Sequence, residues 1–145
     1  MSNRPLAEML ADHKPVIVAP ADSVTAAVRR MTAENVGAVL VMQDGALKGI
    51  FTERDLLRRV VARGRDPIST PVSEAMTTEL IALDAKHKGY EAFQLMHFSD
   101  VGHVVVTGLQ PPPGYGVVSI RDFPPGDLCT FETELDFEDH LWRVV

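Results

Sequence analysis

A chain of 145 residues that is 46% hydrophobic and 23% charged suits one compact domain or two small lobes sharing a core, and excludes a disordered protein. One cysteine, Cys129, and a net charge of −6 exclude an internal disulfide and argue against general binding to nucleic acid backbones. MSNRPLAEML lacks a signal-peptide layout, and the longest apolar run, Ala38–Met42, is far below the roughly 20 residues that span a bilayer, so a cytoplasmic, non-membrane protein is expected.

In chain order, a short helix is expected over Pro5–Asp12, then an apolar strand at Val16-Ile17-Val18 between Pro15 and Pro20. Asp22 or Ser23 can cap a helix running through Glu34, with Val24, Ala27, Val28 and Met31 at the spacing of a buried stripe. Ala38–Gln43 and Leu47–Phe51 then form a hairpin turning through Asp44-Gly45, a strong two-residue turn signal. Thr52 opens a second helix to about Ala62, with Leu56, Leu57, Val60 and Val61 expected inward. Pro67 and Pro71 mark a connection, and a short helix is expected at Val72–Met76. Ile81-Ala82-Leu83 is the next strand, Lys86–His97 a helix, and 102–107 with 116–119 a hairpin. Its loop, Gly108–Gly114, carries three consecutive prolines and can only be irregular.

The chain repeats itself. At an offset of 65, Val36-Gly37-Ala38-Val39-Leu40-Val41 falls on Val101-Gly102-His103-Val104-Val105-Val106, and Ala27, Val28 and Met31 fall on Ala92, Phe93 and Met96. At an offset of 67, Gly49-Ile50-Phe51-Thr52-Glu53-Arg54-Asp55 falls on Gly116-Val117-Val118-Ser119-Ile120-Arg121-Asp122. The two-residue change is absorbed in the loop. The expected fold class is α+β, two pseudo-symmetric β-α-β-β-α repeats, each too small to hold a good core alone. Residues 6–66 form repeat 1 and 67–123 repeat 2, followed by an acidic tail at 124–145.

The blocks at 49–55 and 116–122, with Ser73-Glu-Ala-Met-Thr77 in the connection, resemble a tandem pair of cystathionine-β-synthase-type (CBS) domains, the Bateman module, in its stand-alone form. The resemblance runs from about Leu6 to Phe123. It implies repeats packed as one disc with two clefts, and discs paired as a homodimer. It also implies a regulatory role, not an enzymatic one, with an adenine nucleotide such as AMP, ATP or NAD(H) as ligand.

The residues carry a physical case beside that resemblance. Thr52 and Ser119 stand where a strand gives way to a helix, where free amides and the helix dipole favour phosphate. Asp55 and Asp122 follow one turn later, placed to accept both hydroxyls of a ribose, and Arg54 and Arg121 offer donor forks. By analogy with the family, Lys14, Val16 and Ile17 on one side and Thr77 to Ile81 on the other supply the adenine slot. The same spacing is also an ordinary capping box, hydroxyl and acid satisfying each other's amides, and duplicated folds duplicate their caps. That alternative stands beside the ligand reading.

His103 begins a strand after Gly102. The resemblance implies that it faces phosphates, whereas a histidine at a strand end is commonly just exposed or hydrogen-bonded. The family's frequent arginine before it is replaced here by Gly102, which weakens the grip on multiply charged ligands. His13, His87, His97, His103 and His140 show no metal-ligand spacing, so no metal is expected. Arg54, Arg58, Arg59, Arg63 and Arg65 make a basic ridge, a solvated face or the match for an acidic partner such as the tail 132–139 of a second subunit. After Asp122, Phe123-Pro124-Pro125-Gly126 should cut the last helix short. A helix is expected to restart near Thr133, with Leu135, Phe137, Leu141 and Val145 apolar.

Overall fold

The computed structural model describes the backbone of residues 3–144 and the side chains of residues 3–136. Two compact units emerge, Lys14–Ile81 and Met1–His13 with Ala82–Val145. The N-terminal segment thus belongs with the second repeat in space although it precedes the first in sequence.

In the unit Lys14–Ile81, β1 (Ile17–Val18) runs parallel to β2 (Ala38–Gln43), which pairs antiparallel with β3 (Ala46–Thr52). Asp44 and Gly45 take φ of 52° and 78°, the left-handed pair a tight hairpin requires. Helix α2 (Val24–Glu34) links β1 to β2. Ser23 caps it, its Oγ accepting from the Ala26 amide at 3.0 Å, while Asp22 accepts from the Ala19 amide. Val24, Ala27 and Met31 point into a core that includes Val16, Val18, Val39, Val41, Phe51, Val60 and Val72. After β3, helix α3 (Glu53–Asp55) continues as a π-helical stretch, Leu56–Val61. Amides there reach five residues back, as Ala62 does to Leu57 and Arg65 to Val60.

That winding corrects one expectation. Val60 is buried and Leu56 packs on the core, but Leu57 and Val61 lie on the solvent side, 61% and 62% exposed. The connection folds back along the start of α2, the Val24 amide donating to the Thr70 carbonyl and the Val72 amide to the Asp22 carbonyl. A 3₁₀ turn, Val72–Glu74, follows the proline pair. Thr77 then bonds β3, its amide and carbonyl both exchanged with Ile50.

In the second unit, β4 (Ala82–Asp84) runs parallel to β5 (His103–Thr107), which pairs antiparallel with β6 (Gly116–Ser119). Ile81 stops one residue short of β4. Helix α4 (Gly89–Ser99) starts later than expected because Asp84 Oδ1 accepts from the Lys86 amide and holds a turn there. Helix α1 (Leu6–Met9) buries Leu6 and Met9, and its segment is stitched to the start of α4. The Leu6 amide donates to the His87 carbonyl and the Gly89 amide to the Arg4 carbonyl.

The tail also differs from expectation. After a 3₁₀ turn, Ile120–Asp122, α5 runs unbroken over Pro125–Val144, eight residues ahead of the restart expected at Thr133. Pro125 occupies the first helical position, where a missing amide costs nothing, and Pro124 lies outside, its carbonyl accepting from Asp127 and Leu128. Phe131 and Leu135 are both 1% exposed, and Phe131 meets Tyr90, Phe93 and Phe123. That aromatic packing offsets Gly126 in the first turn. The side chains of Phe137, Leu141 and Val145 lie outside the described residues.

Candidate functional site

Each repeat ends its hairpin on a hydroxyl, and each then places an acid three residues on. In the first repeat, Thr52 leaves β3 in extended conformation and becomes the cap of α3. Its Oγ1 accepts from the Asp55 amide at 3.3 Å, and its own amide donates to Asp55 Oδ2 at 3.0 Å. The capping box is complete. The other oxygen is engaged as well: Thr77 Oγ1 donates to Asp55 Oδ1 at 2.8 Å, and Arg59 Nε stands 3.6 Å from the same atom. Arg59 is fixed in turn by the Met76 carbonyl, to which it donates at 2.7 Å. The Glu53 amide donates to the Gly37 carbonyl. With the Asp55 amide on Thr52, two of the amides expected to receive phosphate are committed.

Gly49 explains how close the connection comes to β3. A Cβ there would lie 2.7 Å from the Thr77 carbonyl oxygen and 2.8 Å from Met76 Sδ. A side chain would push Thr77 away from Asp55.

In the second repeat, the Ser119 amide donates to Asp122 Oδ2 at 2.7 Å. Oδ1 of that acid meets His13 Nε2 at 3.0 Å, and the side chain of His13 is half exposed. His103 opens β5 directly across the ladder from Ser119, so both side chains stand on one face of the sheet. The same place in the first repeat pairs Ala38 with Thr52. The histidine therefore marks the second repeat alone.

The remaining expected residues fall as follows. Lys14 is exposed, Val16 is buried with its carbonyl accepting from the Leu40 amide, and the Ile17 carbonyl accepts from Arg30 at 3.2 Å. Arg54 and Arg121 are exposed, each with a partner within the chain, and Ile81 is half-buried. Thr52, Asp55 and Thr77 come together in one unit; His103, Ser119 and Asp122 come together in the other. Sequence reading chose Thr77 and Asp55 separately and did not join them. It missed Arg59 as a partner of Asp55 and His13 as a partner of Asp122. Arg59 had a signal, four residues beyond Asp55 on a helix; His13, distant in sequence, had none. Among the described residues, no three acidic, histidine or cysteine side chains gather as a metal-holding group, and no helix is long and apolar enough to cross a membrane.

Known proteins share this layout. The CBS domain family model matches residues 7–62. A solved CBS domain, NE2398, is 33% identical, covers 82% of this chain and 93% of its own, and superposes with a TM-score of 0.74. The chain belongs to the CBS-domain family. Among curated CBS proteins, the mitochondrial CBSX3 of Arabidopsis thaliana is 42% identical over 106 residues, which is 70% of this chain and 50% of that protein. The chain spans about half the length of curated relatives it matches. The CBS protein PAE2072 of Pyrobaculum aerophilum, solved in complex with AMP, shares the fold at a TM-score of 0.74. It is 23% identical, with 90% of this chain and 99% of that one covered.

Proposed function

We propose that this CBS protein is a regulatory module that binds an adenine nucleotide of the AMP, ATP or NAD(H) type and signals energy or redox state through a change of conformation. The carrying observation is the hydroxyl and acid set at the same place after β3 and after β6, in a chain whose fold is shared by an AMP-complexed protein. In this reading the acid accepts the ribose hydroxyls, His103, Ser119 and Arg121 face phosphate in the second repeat, and Thr52 and Arg54 do so in the first. Lys14, Val16 and Ile17, with Thr77 and Ile81, line the adenine slot. The module works as a cytoplasmic homodimer and carries out no reaction of its own.

One observation favours a second reading, a ligand-free pairing module. Both acids are already satisfied by donors of the chain itself, as caps would be. A thermal-shift panel of AMP, ATP, NAD, NADH and S-adenosylmethionine separates the two. Stabilisation by at least one ligand, lost in Asp122→Ala or Asp55→Ala, is the expected result. No shift with any ligand leaves the pairing module.

A further inference from the structure

In the second repeat the capping box uses one carboxylate oxygen and leaves the other for an outside donor. The Ser119 amide donates to Asp122 Oδ2, and His13 Nε2 stands 3.0 Å from Oδ1. A carboxylate oxygen accepts, so Nε2 is the donor. Oδ1 is the atom a ribose hydroxyl would need, and a side chain from the N-terminal segment holds it. That segment has a fixed base. Leu6, Met9 and Leu10 are buried, and the Leu6 and Ala7 amides donate to the carbonyls of His87 and Ala85. Leu10 reaches the hairpin itself, since a Cβ on Gly116 would lie 3.3 Å from its Cδ1. Beyond Leu10 the anchoring ends. Ala11, Asp12 and His13 are exposed, after a single turn in which the His13 amide donates to the Leu10 carbonyl. A short arm on a fixed base keeps the imidazole at high effective concentration beside the acid. Release costs little, because the His13 side chain is half exposed and water replaces its partner. Asp55 Oδ1 is held otherwise, by the part-buried Thr77 hydroxyl.

We propose that His13 is an autoinhibitory latch on the second repeat, its imidazole competing with the ribose hydroxyls of a nucleotide for Asp122 Oδ1. The proposal rests on the ribose role given to Asp122 above. While the arm is docked the acid is taken, and the apparent affinity falls with the fraction of chains whose acid is free. An exposed pair of this kind lowers affinity by a factor of roughly two to six. Ligand that binds displaces the arm, so occupancy of the site is reported in the exposed stretch Ala11–His13.

Isothermal titration calorimetry of the full chain with AMP, ATP and NAD in turn tests it, with Asp122→Ala alongside to mark the binding that depends on this acid. His13→Ala is expected to keep the native far-UV circular dichroism and to tighten the Asp122-dependent binding roughly twofold to sixfold. His13→Gln, whose amide can still donate to Oδ1, is expected to stay near the native affinity. In the native chain, the imidazole nitrogen resonances of His13 are expected to move towards those of an unpaired histidine as nucleotide is added. Weaker binding in His13→Ala makes the imidazole a ligand contact and overturns the latch. Unchanged binding overturns it as well, and in both cases the ribose role of Asp122 stands. Nucleotide binding that Asp122→Ala leaves untouched overturns the latch and that ribose role together. No heat with any of the three nucleotides, in the native chain or in His13→Ala, overturns the latch and the nucleotide reading alike.

Discussion

The two repeats use one motif in two different ways. Asp55 is almost closed off, with its side chain 9% exposed, and is held by the Thr52 amide, the Thr77 hydroxyl and Arg59. Asp122 is more open at 17%, and accepts from its own Ser119 amide and meets a half-exposed histidine from the N-terminal segment. A buried carboxylate with several donors is costly to disturb, because several partners are abandoned at once and the part-buried Thr52 amide and Thr77 hydroxyl recover little water. An acid beside an exposed imidazole gives up that partner at small cost, since both re-solvate. The first repeat has made its motif part of the framework, and the second has kept its motif reachable.

The largest separation is expected between the two acids. Asp55→Ala should destabilise the chain by about 3 kcal/mol, a fall in Tm of roughly 10 °C, while Asp122→Ala should cost only about 1 kcal/mol; ligand-free thermal unfolding of both variants measures the gap. Equal losses would erase the distinction. The equivalent glycines sharpen it next. Gly49→Ala drives a methyl into the Thr77 carbonyl, whereas at Gly116 the new Cβ would meet the tips of Leu109 and Leu10, at 2.8 Å and 3.3 Å. Backbone cannot swing aside as a leucine methyl can, so about 2–3 kcal/mol is expected at Gly49 and under about 1 kcal/mol at Gly116, by denaturant titration. Thr77→Val keeps the shape and deletes one hydrogen bond, for about 1–2 kcal/mol, and in Asp55→Ala the same change should add almost nothing.

The smallest effect concerns the caps of the equivalent helices α2 and α4. Ser23 caps α2 with a hydroxyl, but at α4 the Lys88 amide donates to Glu91 Oε2 at 2.7 Å, with His87 on the same oxygen. The Lys88 amide lowers the Glu91 pKa, desolvation opposes it, and His87 adds to the lowering. A carboxyl depressed in the folded state contributes stability above its unfolded pKa and loses it as pH falls towards the folded value. Glu91→Gln should therefore remove a few tenths of a kcal/mol at neutral pH. It should also flatten the acid side of the stability curve, while Ser23→Ala lowers the curve evenly. Parallel unfolding series between neutral and acid pH compare the two variants.

Much of this fold is local, and what is local was legible. The Asp44-Gly45 turn, the Ser23 cap, the stripe of α2 and both hairpins follow from short-range chemistry. The motif spacing likewise revealed where the acids stand. Three features needed the folded chain. Leu57 and Val61 fit a helical stripe of ordinary pitch, and only the π winding turned them outward. Two prolines and a glycine argued against α5, yet Pro124 lies before the helix, and Phe131 is secured by an aromatic cluster whose far member, Tyr90, stands 41 positions earlier in the chain. His13 reaches Asp122 across 109 positions, a pairing no periodicity encodes. Nor could spacing alone say whether an acid three residues after a hydroxyl faces a ligand or its own amide.

The stitching of Met1–His13 to the second repeat also sets an order on assembly. Lys14–Ile81 is contiguous, so during synthesis it can close as soon as its last residue leaves the ribosome. Its sister is assembled from two separated segments, leaving Leu6 and Met9 without their burial site until Ala82 onward has emerged. A proteolytic cut between His13 and Lys14 would accordingly injure the far half of the polypeptide and spare the near one.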